Sequence, residues 1–93
     1  MEIGSWVLVT TDRRGVFFGR LLSNDGTSVV LEECRNCRYW STETQGFLGL
    51  AAHGPADGSI VGPAAPKTQL SMVTSISLVS DRAVEKWHST KSS

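Results

Sequence analysis

The chain has 93 residues, 40% hydrophobic and 19% charged, with nine Lys+Arg balanced by nine Asp+Glu. That length and mix support one globular domain with a modest core, and zero net charge excludes the basic field that holds proteins on duplex nucleic acid. Two cysteines cannot build a disulfide framework, no signal-peptide pattern stands at Met1-Glu2-Ile3, and no apolar run approaches bilayer length, so a cytoplasmic, membrane-free protein is expected.

In chain order, Trp6 to Thr10 (Trp-Val-Leu-Val-Thr) is β-branched and aromatic and ends at a polar Thr11-Asp12-Arg13-Arg14-Gly15 turn, which predicts a first strand and a solvated hairpin tip. Val16 to Ser23 reads as a second strand. Phe17 and Phe18 are adjacent in it and must point to opposite faces, so one of them is expected outside the main core. Asn24-Asp25-Gly26-Thr27 supplies the positive φ of a tight hairpin, with Ser28 to Cys34 as the returning strand. Arg35 to Trp40 is expected to continue in extended form after a bulge near Asn36.

Thr42-x-x-Gln45 has capping-box spacing and Glu43 suits the positive end of a helix dipole, which predicts a helix from Glu43 to His53. Gly54 would close it as a left-handed cap, with Pro55 just beyond. Phe47, Leu50 and Ala51 share a face of that helix and are expected to pack on the sheet. Gly46 and Gly49 each cost roughly 1 kcal/mol against alanine in a helix interior, a cost that points to another backbone or a ligand coming close. Pro55 to Lys67 holds all three prolines and reads as a long irregular loop. A last strand is expected over Val73 to Val79, followed by a Ser80-Asp81 cap and a short helix from Arg82 to Trp87. The fold class is therefore α+β: an antiparallel β-meander, strongly bent or barrel-like, with one central helix and a short C-terminal helix. One domain over residues 1–88 precedes a disordered tail over 89–93.

Among candidate sites, Cys34-x-x-Cys37 admits a zinc site with His53, a redox pair, or two small semi-buried side chains. His88 is too distant in sequence for the usual histidine pair, and residues three apart on a strand face opposite ways. Arg35 and Arg38 next to Tyr39 and Trp40 combine guanidinium groups that fork onto phosphates with planes that stack on bases. The same residues could equally be solvated arginines beside a core tryptophan. No nucleophile elbow, phosphate loop or HExxH motif is present, so no catalytic residues, metal ligands or cofactor are assigned and a non-enzyme is expected.

Trp6-Val7-Leu8-Val9-Thr10-Thr11, Gly15-Val16-Phe17-Phe18-Gly19, Val29-Val30-Leu31-Glu32, Arg35 to Trp40 with Ser41, and the helix ending Leu50-Ala51-Ala52-His53-Gly54 together resemble a family of small phage-encoded proteins. The closing Leu70 to Trp87 is similar as well. The family includes Thoeris anti-defence sponges, which sequester cyclic ADP-ribose-type signals made by bacterial TIR enzymes and also hold cyclic oligonucleotides. The resemblance implies capture without cleavage, in the host cytoplasm, by a symmetric homo-oligomer (dimer or hexamer) with ligand between subunits. It places Arg35, Arg38, Trp40 and Phe47 near that ligand. The competing expectation is a small SH3-like adaptor presenting Trp6, Phe17 or Phe18, and Tyr39 to an extended peptide. A zinc-binding module on Cys34, Cys37 and His53 is a third.

Overall fold

The computed structural model describes residues 1–13 and 15–93. Arg14, expected at the first hairpin tip, lies outside the described residues, while its neighbour Arg13 is exposed as expected. The elements are β1 (Trp6–Thr11), β2 (Val16–Asn24), β3 (Ser28–Tyr39), a 3-10 turn (Thr42–Thr44), α1 (Gly46–His53), β4 (Ile60–Val61), β5 (Ala65–Ser71), β6 (Val73–Leu78) and α2 (Asp81–Ser89). All strand pairings between them are antiparallel. This is the α+β class, with β1, β2 and β3 forming the expected meander.

The β2–β3 hairpin follows from its turn residues. The carboxylate of Asp25 accepts the N–H groups of Ser28 and Thr27 at 2.8 and 3.0 Å, which holds its carboxyl below the usual range. The returning strand is longer than expected. β3 runs unbroken for 12 residues, with an inserted residue at Glu33 (φ 52) against β2 and a further register shift between Cys37 and Tyr39 against β4, close to the bulge expected near Asn36. Phe18 pairs with Arg35 while Arg20 pairs with Glu32, so two steps on β2 oppose three on β3. The extra residue switches the alternation: Val29, Leu31 and Cys34 join one hydrophobic cluster, and Cys37 joins the other.

The expectation of a wholly irregular loop over Pro55 to Lys67 is corrected. Ile60 and Val61 pair with Tyr39 and Cys37, and Ala65-Pro66-Lys67 open β5, which lies along the first half of β3. Pro66 is tolerated because β5 is paired on one side only, where a missing N–H costs no ladder bond. Only Met72 (φ 56) separates β5 from β6, yet β5 pairs with β3 and β6 with β1. One kinked run thus supplies strands at both ends of a strongly bent sheet, which is not closed into a barrel.

Bending gives the sheet two cores. Val7, Val9, Leu21, Val29, Leu31, Cys34 and Leu70 come from four strands and no helix, with Phe17 packed at their margin. On the other face, Leu8, Val16, Phe18 and Val61 meet Leu50 and Ala51 of α1 and Ala83 and Trp87 of α2. Phe17 and Phe18 therefore do divide between faces. The centre of the helix-covered core is a column of rings: Trp6 stacks on Phe18 at 5.1 Å and Phe18 on Trp87 at 4.8 Å, with His88 edge-on to Trp6 at 4.7 Å. The indole N–H of Trp87 donates to the carbonyl of Leu50 at 3.1 Å, tying α2 to α1.

Ser89 ends α2, and beyond it Ser92 bridges Val61 in parallel and the Ser93 N–H donates to the Val61 carbonyl at 3.0 Å. Among the described residues no helix is long and apolar enough to cross a membrane. At the other end of α2, the Ser80 hydroxyl accepts the Ala83 N–H at 3.1 Å and donates to the Ala52 carbonyl at 2.8 Å. Ser80→Ala is expected to cost about 1 kcal/mol, lowering Tm by roughly 4–8 °C in a calorimetric scan.

Candidate functional site

α1 begins later than the capping-box spacing suggested. The Gln45 N–H donates to the Thr42 carbonyl, closing a single 3-10 turn. Gln45 (φ 67), which precedes α1, and Gly46 (φ 74), its first residue, then take positive φ. No side-chain cap forms at Ser41 or at Gln45. Gly49 is needed because the Thr44 carbonyl lies against the helix: a Cβ there would sit 1.6 Å from that oxygen. The backbone that the glycine pattern anticipated is the chain's own. Gly54 ends the helix with positive φ but extended ψ (81, 177), not as a left-handed cap.

The offset turn sets Phe47 apart from the core. Leu50 and Ala51 are buried as expected, whereas Phe47 is 39% exposed. Its ring lines a cleft of about 460 Å³ shared with Trp40, Val16, Thr10, Thr74 and Ser75. Trp40 is half-buried, packed at the margin of the helix-side core. It also lines an adjoining hollow of about 360 Å³ together with Val16, Asn36 and Arg38. Three of the four expected binding residues, Arg38, Trp40 and Phe47, thus line two hollows that share Gly15, Val16 and Trp40 as walls, Arg38 in one and Phe47 in the other, and among the described residues neither hollow is lined by Asp or Glu. A larger hollow, about 540 Å³, has Glu32, Glu33, Ala64, Ala65 and Pro66 as its walls. Two carboxylates and no aromatic plane make it a poor place for an anionic ring.

Arg35 is the correction. It lies on the helix side of β3, 7% exposed, and its guanidinium is taken up by three carbonyls. Nε donates to Gly62 at 2.8 Å, Nη2 to Thr90 at 2.8 Å, and Nη1 to Trp87. Two of those carbonyls are at the C-terminal end of α2, where the helix dipole is negative and compensates a buried cation. Burial lowers its pKa from the ordinary value, though an arginine remains charged. Arg38 is exposed, and its Nη2 donates to the Ser93 carbonyl at 2.6 Å. The two guanidiniums therefore do not converge within one chain, because three residues separate them on a strand.

The cysteines are likewise divided. Cys34 is in the all-sheet core and Cys37 in the helix-side core, and burial raises both thiol pKa values. His53 is on the surface with its Nδ1 2.9 Å from Nη2 of Arg82. Among the described residues no three His, Cys, Asp or Glu side chains gather as a metal site. Of the aromatic set considered for a peptide surface, Phe18 is fully buried, Trp6 stacks on it, and Tyr39 stands 55% exposed.

Residues 4–87 match the family described as Domain of unknown function (DUF6948). The chain belongs to this family. The matched span holds the whole sheet, the 3-10 turn, α1 and most of α2, so every residue named along these two hollows falls within the family's domain. No curated protein and no solved structure gave a match.

Sequence reading missed the polar wall of the cleft. Thr10, Thr74 and Ser75 are unremarkable strand residues, and only the β1–β6 register brings them together. Two predictions follow from the site's geometry. Arg35→Ala should lower Tm by at least about 10 °C, since several charged hydrogen bonds vanish, while Arg38→Ala should shift it by no more than about 4 °C. The thiols give a pH signature. With folded-state pKa values raised, both states keep the thiols protonated below about pH 8.5 and stability is full there. Above it the unfolded chain ionises first and stability falls. Urea midpoints at neutral pH and about pH 9.5 should therefore decline more steeply for the native sequence than for Cys34→Ala/Cys37→Ala.

Proposed function

We propose that this protein captures a nucleotide without cleaving it, in the cleft lined by Trp40 and Phe47, with Arg38 in the adjoining hollow. The observation that supports this is the cleft itself: two aromatic side chains left partly exposed beside one another, in a hollow within the roughly 300–1,000 Å³ range of small-molecule sites. Stacking on such rings contributes about 1–3 kcal/mol per base and is tolerant of base identity. Arg38, held at one side by the tail carbonyl, keeps donors for a phosphate oxygen.

The ligand class we infer is the one that the sequence resemblance implies, a cyclic nucleotide immune signal such as a cyclic ADP-ribose isomer or a cyclic oligonucleotide, sequestered in the host cytoplasm. Assembly as a homo-oligomer is part of the same reading. It is supported by β6, an edge strand of six residues (Val-Thr-Ser-Ile-Ser-Leu) with no charge or proline to deter pairing with a second copy. Light scattering after size-exclusion chromatography reads the copy number.

The direct test is thermal denaturation with cyclic ADP-ribose isomers and cyclic di- and trinucleotides, then heat release and chromatography of the bound molecule. Capture should add about 2.7 kcal/mol of stability at a ligand concentration a hundred times Kd. The ligand should emerge unchanged. Trp40→Ala and Phe47→Ala should each weaken binding by about 1–3 kcal/mol, that is about 5- to 150-fold. Absence of a shift with every compound would remove the reading.

A further inference from the structure

The cleft has one wall of rings and one of hydroxyls. Thr10 of β1 is the cross-strand partner of Ser75 of β6, but the next pair is Thr11 with Val73, so Thr74 is an extra residue with no partner. A bulge of this kind re-aims a side chain. Here it brings the Thr74 hydroxyl within 2.8 Å of Thr10 Oγ1, which also lies 2.5 Å from Ser75 Oγ. All three residues line the cleft that Trp40 and Phe47 line.

Hydrogen-bond capacity says what this wall accepts. Three hydroxyls carry three hydrogens and six lone pairs, and the two mutual bonds use two of each, leaving one hydrogen and four lone pairs. The wall is therefore mainly an acceptor, spread over three neighbouring oxygens that can rotate to donate once. A vicinal diol fits this, because it brings two donors on adjacent atoms and can itself accept the remaining hydrogen. An amino group offers two hydrogens from one atom and accepts nothing.

We propose that Thr10, Thr74 and Ser75 form the sugar-recognition element of the cleft, selecting a ribose with free 2′- and 3′-hydroxyls over a 2′-deoxyribose. This rests on the nucleotide-capture reading and narrows it to the cyclic ADP-ribose type of ligand, because each ribose of a cyclic oligonucleotide spends one of the two hydroxyls on its phosphodiester. Stacking on Trp40 and Phe47 supplies affinity without sugar preference, and the hydroxyl wall supplies the discrimination.

The probes are adenosine 5′-monophosphate, its 2′-deoxy counterpart and inosine 5′-monophosphate, titrated by calorimetry and by tryptophan fluorescence into the full chain. Adenosine monophosphate should bind about tenfold more tightly than the deoxy form, the scale of one or two lost neutral hydrogen bonds. Inosine monophosphate, lacking the amino group, should match it. Thr10→Val/Ser75→Ala should bring the ribo-to-deoxy ratio close to one while both probes still bind. Thr74→Val, at an exposed position, should reduce the ratio on its own, so a folding defect in the double variant does not decide the matter. Equal affinity for the two sugars, with Trp40→Ala abolishing both, would leave the capture reading standing and overturn the sugar assignment. A loss that follows inosine instead of the deoxy sugar, or a ratio unmoved by the variants, overturns it too. No binding of any of the three probes overturns the sugar assignment, while the capture reading falls only if the cyclic nucleotides fail as well.

Discussion

One inserted residue in the longest strand decides which side chains meet. Glu33 occupies left-handed backbone in β3, a conformation that a side chain bearing Cβ adopts at some cost, and it makes three residues of β3 face two of β2. Before it the odd positions Val29 and Leu31 enter the all-sheet core, and after it the even Cys34 does. Arg35 and Cys37 are thereby turned to the helix side. There Arg35 finds the carbonyls of Gly62, Trp87 and Thr90 and joins the loop after β4, the end of α2 and the tail in one junction. Without the inserted residue, that guanidinium would be on the opposite face, among Val29, Leu31 and Leu70.

The same junction determines what is left for a ligand. Arg35 is occupied, Arg38 is at the surface, and Trp40 at the end of the strand reaches the margin of the helix-side core. The 3-10 turn that follows then advances the chain before α1 begins, and Gly49 lets the Thr44 carbonyl press against the helix. That close approach leaves Phe47 half out of the core, beside Trp40 and above the β1–β6 edge. A groove with rings on one side and hydroxyls on the other is thus the consequence of two backbone irregularities, at Glu33 and at Gln45–Gly46, and of the bulge at Thr74. Belonging to a domain family that spans residues 4–87 is consistent with a fold whose parts are this interdependent.

Much of the fold was legible locally. The Asn24-Asp25-Gly26-Thr27 turn, the β1–β2–β3 meander and the Ser80 cap of α2 each depend on residues within a few positions of one another, so propensity and side-chain hydrogen bonding suffice. The capping-box reading of Thr42-x-x-Gln45 failed because a left-handed Gln45 closed the turn early, which spacing cannot reveal. Pro55 to Lys67 was read as irregular from its prolines and glycines. β4 and the start of β5 exist there because β3 offers an unpaired edge, and an edge strand tolerates Pro66.

By itself the sequence determined the α+β class and the division of Phe17 and Phe18 between two faces, since alternation and turn chemistry are local properties. Tertiary structure alone decided that Arg35 is internal, that Cys34 and Cys37 belong to different cores, and that Thr10 meets Thr74 and Ser75 across the sheet. The reason is register. A single inserted residue changes the face of every side chain after it, and its position is set by pairing between strands far apart in the chain, which no reading of neighbours can supply.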